Sequence, residues 1–206
     1  MNKKRPGLVA ERREEIINAC EKLYRTMSFR EITLKEIGNE VPFSRPTIYN
    51  YFETKEEIFL ALFEREYRTW TKDLAAIVPT NGAKDVDAVA EEIARSLDKR
   101  TLMLRLLSSN LYDMEANSRM EELVAFKKAY RECLQALYDI ISALSPDAGE
   151  EQRRQTLTAI LEFIYGLYPY AFATDKQIEA MMKAGLKYEQ KSIYELSLFG
   201  LKKLLR

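Results

Sequence analysis

The residues whose types and spacing could do chemistry lie between positions 33 and 55. A short helix that begins near residue 44 would turn Ile48 and Phe52, four positions apart, toward a core. The side chains that would then face outward are Arg45, Thr47, Asn50 and Tyr51. An arginine can donate two parallel hydrogen bonds to guanine, a threonine offers a methyl and a hydroxyl group, and a phenol can donate or accept. This face could therefore contact base edges in the major groove.

Other polar side chains stand where helix starts would meet the DNA backbone. Thr33 and Ser44 occupy predicted helix N-caps, and Pro46 falls in the first turn of the next helix, where no backbone N–H is needed. Tyr49 and Lys55 lie on the flank of the same segment. Helix N-termini and such side chains commonly bind phosphate oxygens, so we expect contacts to the DNA backbone here.

The sequence contains few residues of the types that enzymes use for catalysis. The chain contains no histidine, which excludes histidine-dependent triads, histidine general bases and histidine-ligated metal sites. Its two cysteines, Cys20 and Cys133, fall far apart within predicted helices, and we expect both to be buried, inert thiols. No carboxylate pair has the spacing of an acid–base couple or a metal site. We therefore predict no catalytic residue, no metal and no cofactor.

The composition is typical of a helical globular protein. The 206 residues include only seven glycines and six prolines, with 47% hydrophobic and 31% charged residues. The formal net charge is zero, but residues 1–55 carry a net charge of +3 and the remainder −3. This direction fits an N-terminal module that faces nucleic acid. The sequence has neither an apolar stretch of about 18 residues nor an apolar signal region, so we expect a cytoplasmic protein without a membrane segment.

Helix signals follow one another along the chain. Capping boxes predict helix starts at residues 33–36, 54–57, 118–121 and 192–195. Pro42 ends the second helix, Phe43 is expected to point inward as the anchor of the turn, and Gly185 is expected to end a brief later helix. No segment alternates as a β-strand would. The sequence predicts an all-α fold of about nine to ten helices: a three-helix helix-turn-helix domain in residues 1–55 and a larger helical bundle in residues 56–206.

An ordered string of residue types links the N-terminal part to a known family. The matching residues are Leu23, Tyr24, Phe29, Ile32, Thr33, Glu36–Gly38, Val41–Ser44, Thr47–Phe52 and Lys55–Glu57. Through this string, residues 9–63 resemble the TetR/AcrR family of bacterial one-component transcription regulators. The sequence departs from the family pattern at Pro42, Phe43 and Pro46, which could tilt the entry of the recognition helix and shift the base contacts.

The resemblance implies roles for individual residues. The predicted phosphate and backbone contacts are Tyr49, Lys55 and Thr33. The residues predicted to lie nearest the bases are Arg45, Thr47 and Tyr51. An N-terminal arm of Lys3, Lys4 and Arg5 could reach DNA, although such a terminus is more often simply solvated.

The resemblance also implies a body with an effector pocket and a dimer interface. The last long helices, within residues 150–206, would pair with those of a second copy. A small apolar or amphipathic effector would bind among the middle helices, where aromatic side chains could form the pocket walls. The candidate pocket residues are Tyr67, Trp70, Tyr112, Phe126, Tyr130, Phe163, Tyr165 and Tyr168. Aromatic residues at helical spacing are more often core, so a packing role is the alternative for each.

The implied function is that of a ligand-responsive transcriptional regulator. It would act as a repressor that binds a palindromic, double-stranded DNA operator as a homodimer and is released by its effector. The competing interpretation is a helical ligand-binding or interaction protein without DNA affinity. An enzyme is the third class, for which the sequence offers no pair of nucleophile and base.

Overall fold

The computed structural model describes residues 6–78, 85–109 and 111–206, and this part of the chain forms eleven α-helices and no β-strand. The helices are α1 (Pro6–Tyr24), α2 (Leu34–Asn39), α3 (Arg45–Ile48), α4 (Lys55–Ile77), α5 (Val86–Asp98), α6 (Thr101–Ser108), α7 (Leu111–Ala116), α8 (Met120–Leu144), α9 (Glu150–Ala171), α10 (Asp175–Lys183) and α11 (Ile193–Leu204). The all-α prediction is confirmed. The sequence did not reveal α7, a helix of six residues. None of the described helices combines the length and the apolar character needed to cross a membrane.

Contacts within the chain define two compact units. One contains the chain up to Arg65 together with the segment that follows Ser109 and ends at Ala129. The other contains Glu66–Ser109 and Tyr130–Arg206. Helices α4 and α8 therefore each contribute residues to both units. The division into domains at residue 55 stays a prediction.

The first unit has an apolar core that holds two very short helices in place. Its buried side chains include Ile16, Cys20, Tyr24, Ile37, Ile48 and Phe52. Helices α2 and α3 have six and four residues, too few to be stable alone in water. Burying a large aliphatic side chain contributes about 1.5–3 kcal/mol, so Ile37 and Ile48 hold these helices in place far more firmly than their own hydrogen bonds do, with α2 packed on α1 and α3 packed on α2.

The second unit is built around contacts of α11 with α5 and α9, and of α9 with α6. Gly200 of α11 lies against the ring of Phe163 in α9; a Cβ added at Gly200 would stand 2.5 Å from Phe163 Cε2. In the core, Trp70 Nε1 donates to Ser96 Oγ at 2.9 Å, and Ser96 Oγ donates to the Ile93 carbonyl at 2.7 Å. This chain of hydrogen bonds satisfies both buried polar groups.

Most of the predicted helix ends are present, and one is wrong. The capping box of Ser192 and Glu195 is confirmed at the start of α11, and Gly185 has a positive φ of 77° after α10. The predicted cap at Ser118 is wrong, because its hydroxyl donates to the Met114 carbonyl at 2.6 Å. Helix α7 ends just before this point, so Ser118 satisfies a carbonyl of α7 instead of an N–H of α8.

Candidate DNA-binding surface

Helix α3 begins as the sequence predicts and then extends for a single turn. Ser44 is the N-cap residue with extended backbone, and Pro46 stands in the first turn. Beyond Ile48 the chain continues through hydrogen bonds from Asn50 N–H to the Thr47 carbonyl and from Tyr51 N–H to the Ile48 carbonyl. These two bonds span three residues, as in a 3₁₀-helix, whereas the Phe52 N–H bonds to the same Ile48 carbonyl at 3.0 Å with α-helical spacing, so the winding changes within this turn.

Arg45, Tyr49 and Asn50 form an exposed polar face on this segment. All three are exposed, with 51% of Tyr49 accessible. Among the residues that the structure describes, the Arg45 guanidinium has no hydrogen-bond or ion-pair partner. Its stem lies close to Gly38 of α2, where an added Cβ would stand 3.3 Å from Arg45 Cβ. The arginine is therefore oriented by packing while its five N–H donors are left to the solvent side.

Hydroxyl groups at the starts of α2 and α3 complete the surface. Ser44 Oγ and Thr47 Oγ1 share a hydrogen bond of 3.0 Å, and Ser44 makes no side-chain bond to the helix backbone. Thr33 is the N-cap of α2 and accepts from the Lys35 N–H at 3.2 Å. The predicted capping box at residues 33–36 is modified, because the Glu36 carboxylate accepts from the Thr33 hydroxyl. Thr33, Ser44, Pro46 and Thr47 thus lie at the helix starts, where backbone N–H groups favour anions.

Tyr51 does not lie on the exposed face, and its predicted exposure is wrong. Only 9% of the residue is accessible. The prediction extended the 3.6-residue period of an α-helix through residue 51, whereas α3 ends at Ile48 and the next turn is tighter. The change of winding brings Tyr51 and Phe52 together into the core, so the structure gives no support to a base contact by Tyr51.

The Nζ of half-buried Lys55 is turned toward the protein, and the predicted phosphate contact of this residue stays a prediction. Its Nζ donates to the carbonyls of Phe29 and Ile32 at 2.7 and 3.0 Å and lies 4.4 Å from the centre of the Phe29 ring. These carbonyls belong to the connection between α1 and α2. Lys55 therefore fastens that connection to the first turn of α4.

A positive charge that the sequence analysis missed lies beside the turn between α2 and α3. The Arg12 guanidinium of α1 stands 5.2 Å from the centre of the Phe43 ring. Phe43 is half-buried, which fits its predicted role as the anchor of the turn. No local signal joins residues 31 positions apart, and only the packing of α1 shows this pair. The predicted arm of Lys3, Lys4 and Arg5 lies outside the described residues.

A buried ion pair holds the end of this segment. Glu57, in the first turn of α4, has no accessible surface and accepts four hydrogen bonds. The donors are Glu53 N–H (2.7 Å), Arg119 N–H (3.0 Å), Arg119 Nε (2.7 Å) and Arg119 Nη2 (2.9 Å). Burial acts to raise the pKa of Glu57, but these hydrogen bonds outweigh it and hold the pKa below the ordinary value. No local pattern indicated this pair, because its members are 62 positions apart.

The predicted pocket residues do not line one common cavity in the part of the chain that the structure describes. Phe126 packs against Phe63 in the first unit, and Tyr112 is 84% accessible, so both are corrected. In the second unit Tyr67 stacks on Tyr130 with ring centres 5.4 Å apart. Like Trp70, Tyr67 is buried in the core.

The remaining candidates, Phe163, Tyr165 and Tyr168, lie on α9, and Phe163 lines a cavity of about 340 Å³. A larger cavity of about 720 Å³ is formed by α9, α10, the chain that follows α10, and α11. Its residues include Tyr170, Met181, Leu196, Lys187 and Lys191, none of which the sequence analysis named. Apart from Phe163, none of the predicted pocket residues lines either cavity.

Comparisons with known proteins identify the family to which the chain belongs. Residues 16–62 match the family model described as "Bacterial regulatory proteins, tetR family". Residues 64–192 match the model "Tetracyclin repressor-like, C-terminal domain". Together the two models cover most of the chain. Both describe the family of DNA-binding regulators, not a family of enzymes.

One similar curated protein is the HTH-type transcriptional activator FasR of Mycolicibacterium smegmatis, 24% identical over 152 residues. The match covers 73% of this chain and 66% of FasR, slightly under two thirds of that protein. A TetR/AcrR-family regulator of Thermobifida fusca superposes with a TM-score of 0.62 at 18% identity, over 95% of this chain and 97% of that one. The fatty acid degradation regulator FadR of Bacillus halodurans superposes with a TM-score of 0.62 at 15% identity, over 99% of this chain and 97% of that one. The chain belongs to the TetR family of bacterial transcription regulators.

Proposed function

We propose that the protein binds a palindromic operator as a homodimer and represses transcription until a small apolar or amphipathic effector releases it. The observation that carries this proposal is the exposed face of Arg45, Tyr49 and Asn50 on and just after α3, the second helix of the helix-turn-helix. An unpartnered arginine at such a position can donate to guanine N7 and O6, and an exposed tyrosine hydroxyl beside it can bind a phosphate. Because it acts on DNA, we place the protein in the cytoplasm.

The proposed dimer rests on the outer faces of α9 and α11. Large apolar side chains are exposed there: Tyr165, Tyr170 and Phe199, the last with 69% of its surface accessible. Exposed apolar side chains of this size favour an interface over bare contact with water. Two α3 segments held about 34 Å apart by such a dimer would enter successive major grooves of one face of the duplex. A monomeric mass in sedimentation at micromolar concentration would contradict the dimer.

The 720 Å³ cavity in the second unit is the best place for the effector. Its volume falls within the range of about 300–1,000 Å³ that is usual for small-molecule sites. Tyr170, Met181 and Leu196 supply apolar walls, Lys187 brings an ammonium group, and Lys191 is paired with Glu189 at 3.6 Å. This combination suits an amphipathic molecule with an acidic head. A ligand there weakens DNA binding only as far as it prefers the protomer arrangement that does not fit DNA.

The DNA proposal is tested by fluorescence anisotropy with fragments of the region upstream of the gene. Arg45→Ala should weaken operator binding by roughly 5- to 150-fold, the range for one bidentate base contact. Tyr49→Phe should weaken operator and unrelated DNA alike, because a phosphate contact carries no sequence information. The matched control is Arg131→Ala, which removes an exposed arginine of α8 that also has no partner among the described residues.

Two outcomes would redirect the proposal. If Arg45→Ala and Tyr49→Phe both retain full operator affinity at moderate salt, this face does not bind DNA. If the wild type shifts no upstream fragment even at low salt, the helical ligand-binding protein without DNA affinity becomes the better interpretation. A promoter–reporter assay decides the direction of control, since the relative FasR is an activator.

A further inference from the structure

Arg119 joins three elements of the first unit at the point where the recognition segment ends. It is the residue before α8, and its carbonyl accepts the first helical hydrogen bond, from the Leu123 N–H at 3.0 Å. Its guanidinium binds Glu57 in the first turn of α4 through Nε and Nη2. The same Nη2 donates to the backbone carbonyl of Tyr51 at 3.2 Å. One side chain thus connects α8, α4 and the chain that leaves α3.

The Tyr51 carbonyl is a sensitive place for such a contact. Tyr51 follows the exposed face by one residue, and its own N–H bonds to the Ile48 carbonyl at 2.8 Å. A shift of the Tyr51 peptide therefore changes the winding of residues 48–52 and with it the direction of Tyr49 and Asn50. Because α3 has only four residues, its own hydrogen bonds cannot hold that geometry.

Burial makes the contact directional. Glu57 is fully buried, and its four hydrogen bonds leave the carboxylate no freedom to rotate. The Glu57 carboxylate binds Nε and Nη2 of Arg119 and so holds the guanidinium plane. Nη2 can then also donate to the Tyr51 carbonyl. A lysine could neutralise Glu57 with its point charge, but it has no planar fork to bind the carboxylate in two places and the carbonyl in a third.

We propose that Arg119 is a positioning residue for DNA recognition: held by Glu57, it fixes the Tyr51 carbonyl and thereby sets the orientation in which α3 presents its exposed face. This inference rests on the proposed DNA-binding function.

The test is Arg119→Lys in the full-length protein, with Arg100→Lys as its matched control. Arg100 also binds a carboxylate, that of Asp73, through Nε and Nη2 at 3.0 and 2.6 Å, but it lies in the second unit. We expect Arg119→Lys to raise the operator dissociation constant about tenfold, the usual effect of losing one hydrogen bond to a charged donor. Arg100→Lys should leave the constant unchanged.

Two further readouts separate positioning from loss of folded protein. Affinity for unrelated DNA should fall by much less than affinity for the operator, because Arg119 itself contacts no phosphate and the substitution redirects at most the phosphate contact of Tyr49. Amide hydrogen exchange at Asn50, Tyr51 and Phe52 should accelerate about tenfold, while exchange at Ile16 and Cys20 of α1 should not change.

The possible outcomes give clear decisions. Unchanged operator affinity in Arg119→Lys overturns the inference, as does an equal loss of operator and unrelated DNA binding. Should Arg119→Lys fail to fold by circular dichroism, Glu57→Gln replaces it, with the same expectations and the same grounds for rejection. A wild type that binds no operator refutes the proposed function instead, whereas operator binding that tolerates Arg119→Lys refutes the inference alone.

Discussion

Replacing Gly200 by alanine should destabilise the second unit, although alanine is the better helix former. Gly200 lies inside α11, where exchange of glycine for alanine normally contributes about 1 kcal/mol of stability. Against this gain, the new Cβ would stand 2.5 and 2.7 Å from Phe163 Cε2 and Cε1. Neither distance is compatible with van der Waals contact, so the ring or the helix must move.

The free-energy cost of that movement decides whether Gly200→Ala stabilises or destabilises the protein. Overpacking a close contact costs about 1–3 kcal/mol. The atoms met are at the far end of the Phe163 ring, which is half-buried and lines a cavity, so we expect a cost near the middle of this range, about 2 kcal/mol. Subtracting the gain of about 1 kcal/mol in helix propensity leaves a net loss of about 1 kcal/mol. For a chain of this size, each kcal/mol corresponds to about 2–4 °C in the midpoint of thermal unfolding.

The assay compares two glycine-to-alanine variants by thermal unfolding at several fixed protein concentrations. Gly166→Ala is the matched control, since Gly166 lies inside α9 and an added Cβ has nothing within 4 Å. It should raise the midpoint, and Gly200→Ala should lower it. Repeating the comparison across concentrations separates effects on subunit association from effects on the fold. Adding Phe163→Leu to Gly200→Ala should recover at least half of the loss. If Gly200→Ala proves as stable as Gly166→Ala, the close packing of α11 on Phe163 is refuted.

The remaining predictions concern buried charges and thiols. Arg119→Met should lower the free energy of unfolding in urea by about 3 kcal/mol, because it leaves the Glu57 carboxylate buried without its cation. The double variant with Glu57→Met should lose less. Losses that simply add would contradict the coupling of the two side chains. Because the folded pKa of Glu57 lies below its ordinary value of 4.5, the carboxylate stabilises the fold above that pH and loses this effect as the pH falls through the folded value. The difference in thermal midpoint between wild type and Glu57→Gln should therefore shrink as the pH is lowered from 5 through the folded pKa of Glu57. A difference that stays constant over this range would refute the stabilising role of the ionised carboxylate. Burial raises the pKa of Cys133 to about 12 and that of Cys20 beyond the usual range, so both should resist iodoacetamide at pH 8 until urea unfolds the chain. Rapid labelling of the native protein would show that they are accessible.

Local signals in the sequence predicted much of the fold. The N-caps at Thr33 and Ser192, the break at Pro42 and the glycine at 185 depend on a few neighbouring residues, and the structure has helix ends at each of them. Such features require only that a side chain reach a nearby backbone group. The same locality explains the failure at Ser118, where α7 offered a carbonyl that competed for the hydroxyl.

The site was harder to predict because its geometry depends on distant partners. Lys55 fits the pattern of a phosphate ligand, yet the carbonyls of Phe29 and Ile32 draw it inward. Arg119 carried no signal at all, since its partner Glu57 lies 62 positions earlier. The exposure of Tyr51 was misjudged because the winding of α3 changes after one turn. In each case tertiary contacts outweigh the local pattern.

Methylation protection of guanine N7 on the upstream region tests the central claim most directly, that two copies of α3 read the major groove. The account predicts protected guanines in two symmetric half-sites whose centres lie about one helical turn apart, with the protection lost in Arg45→Ala and kept in Arg131→Ala. Protection that persists in Arg45→Ala, or the absence of any paired half-sites at low salt, would contradict it.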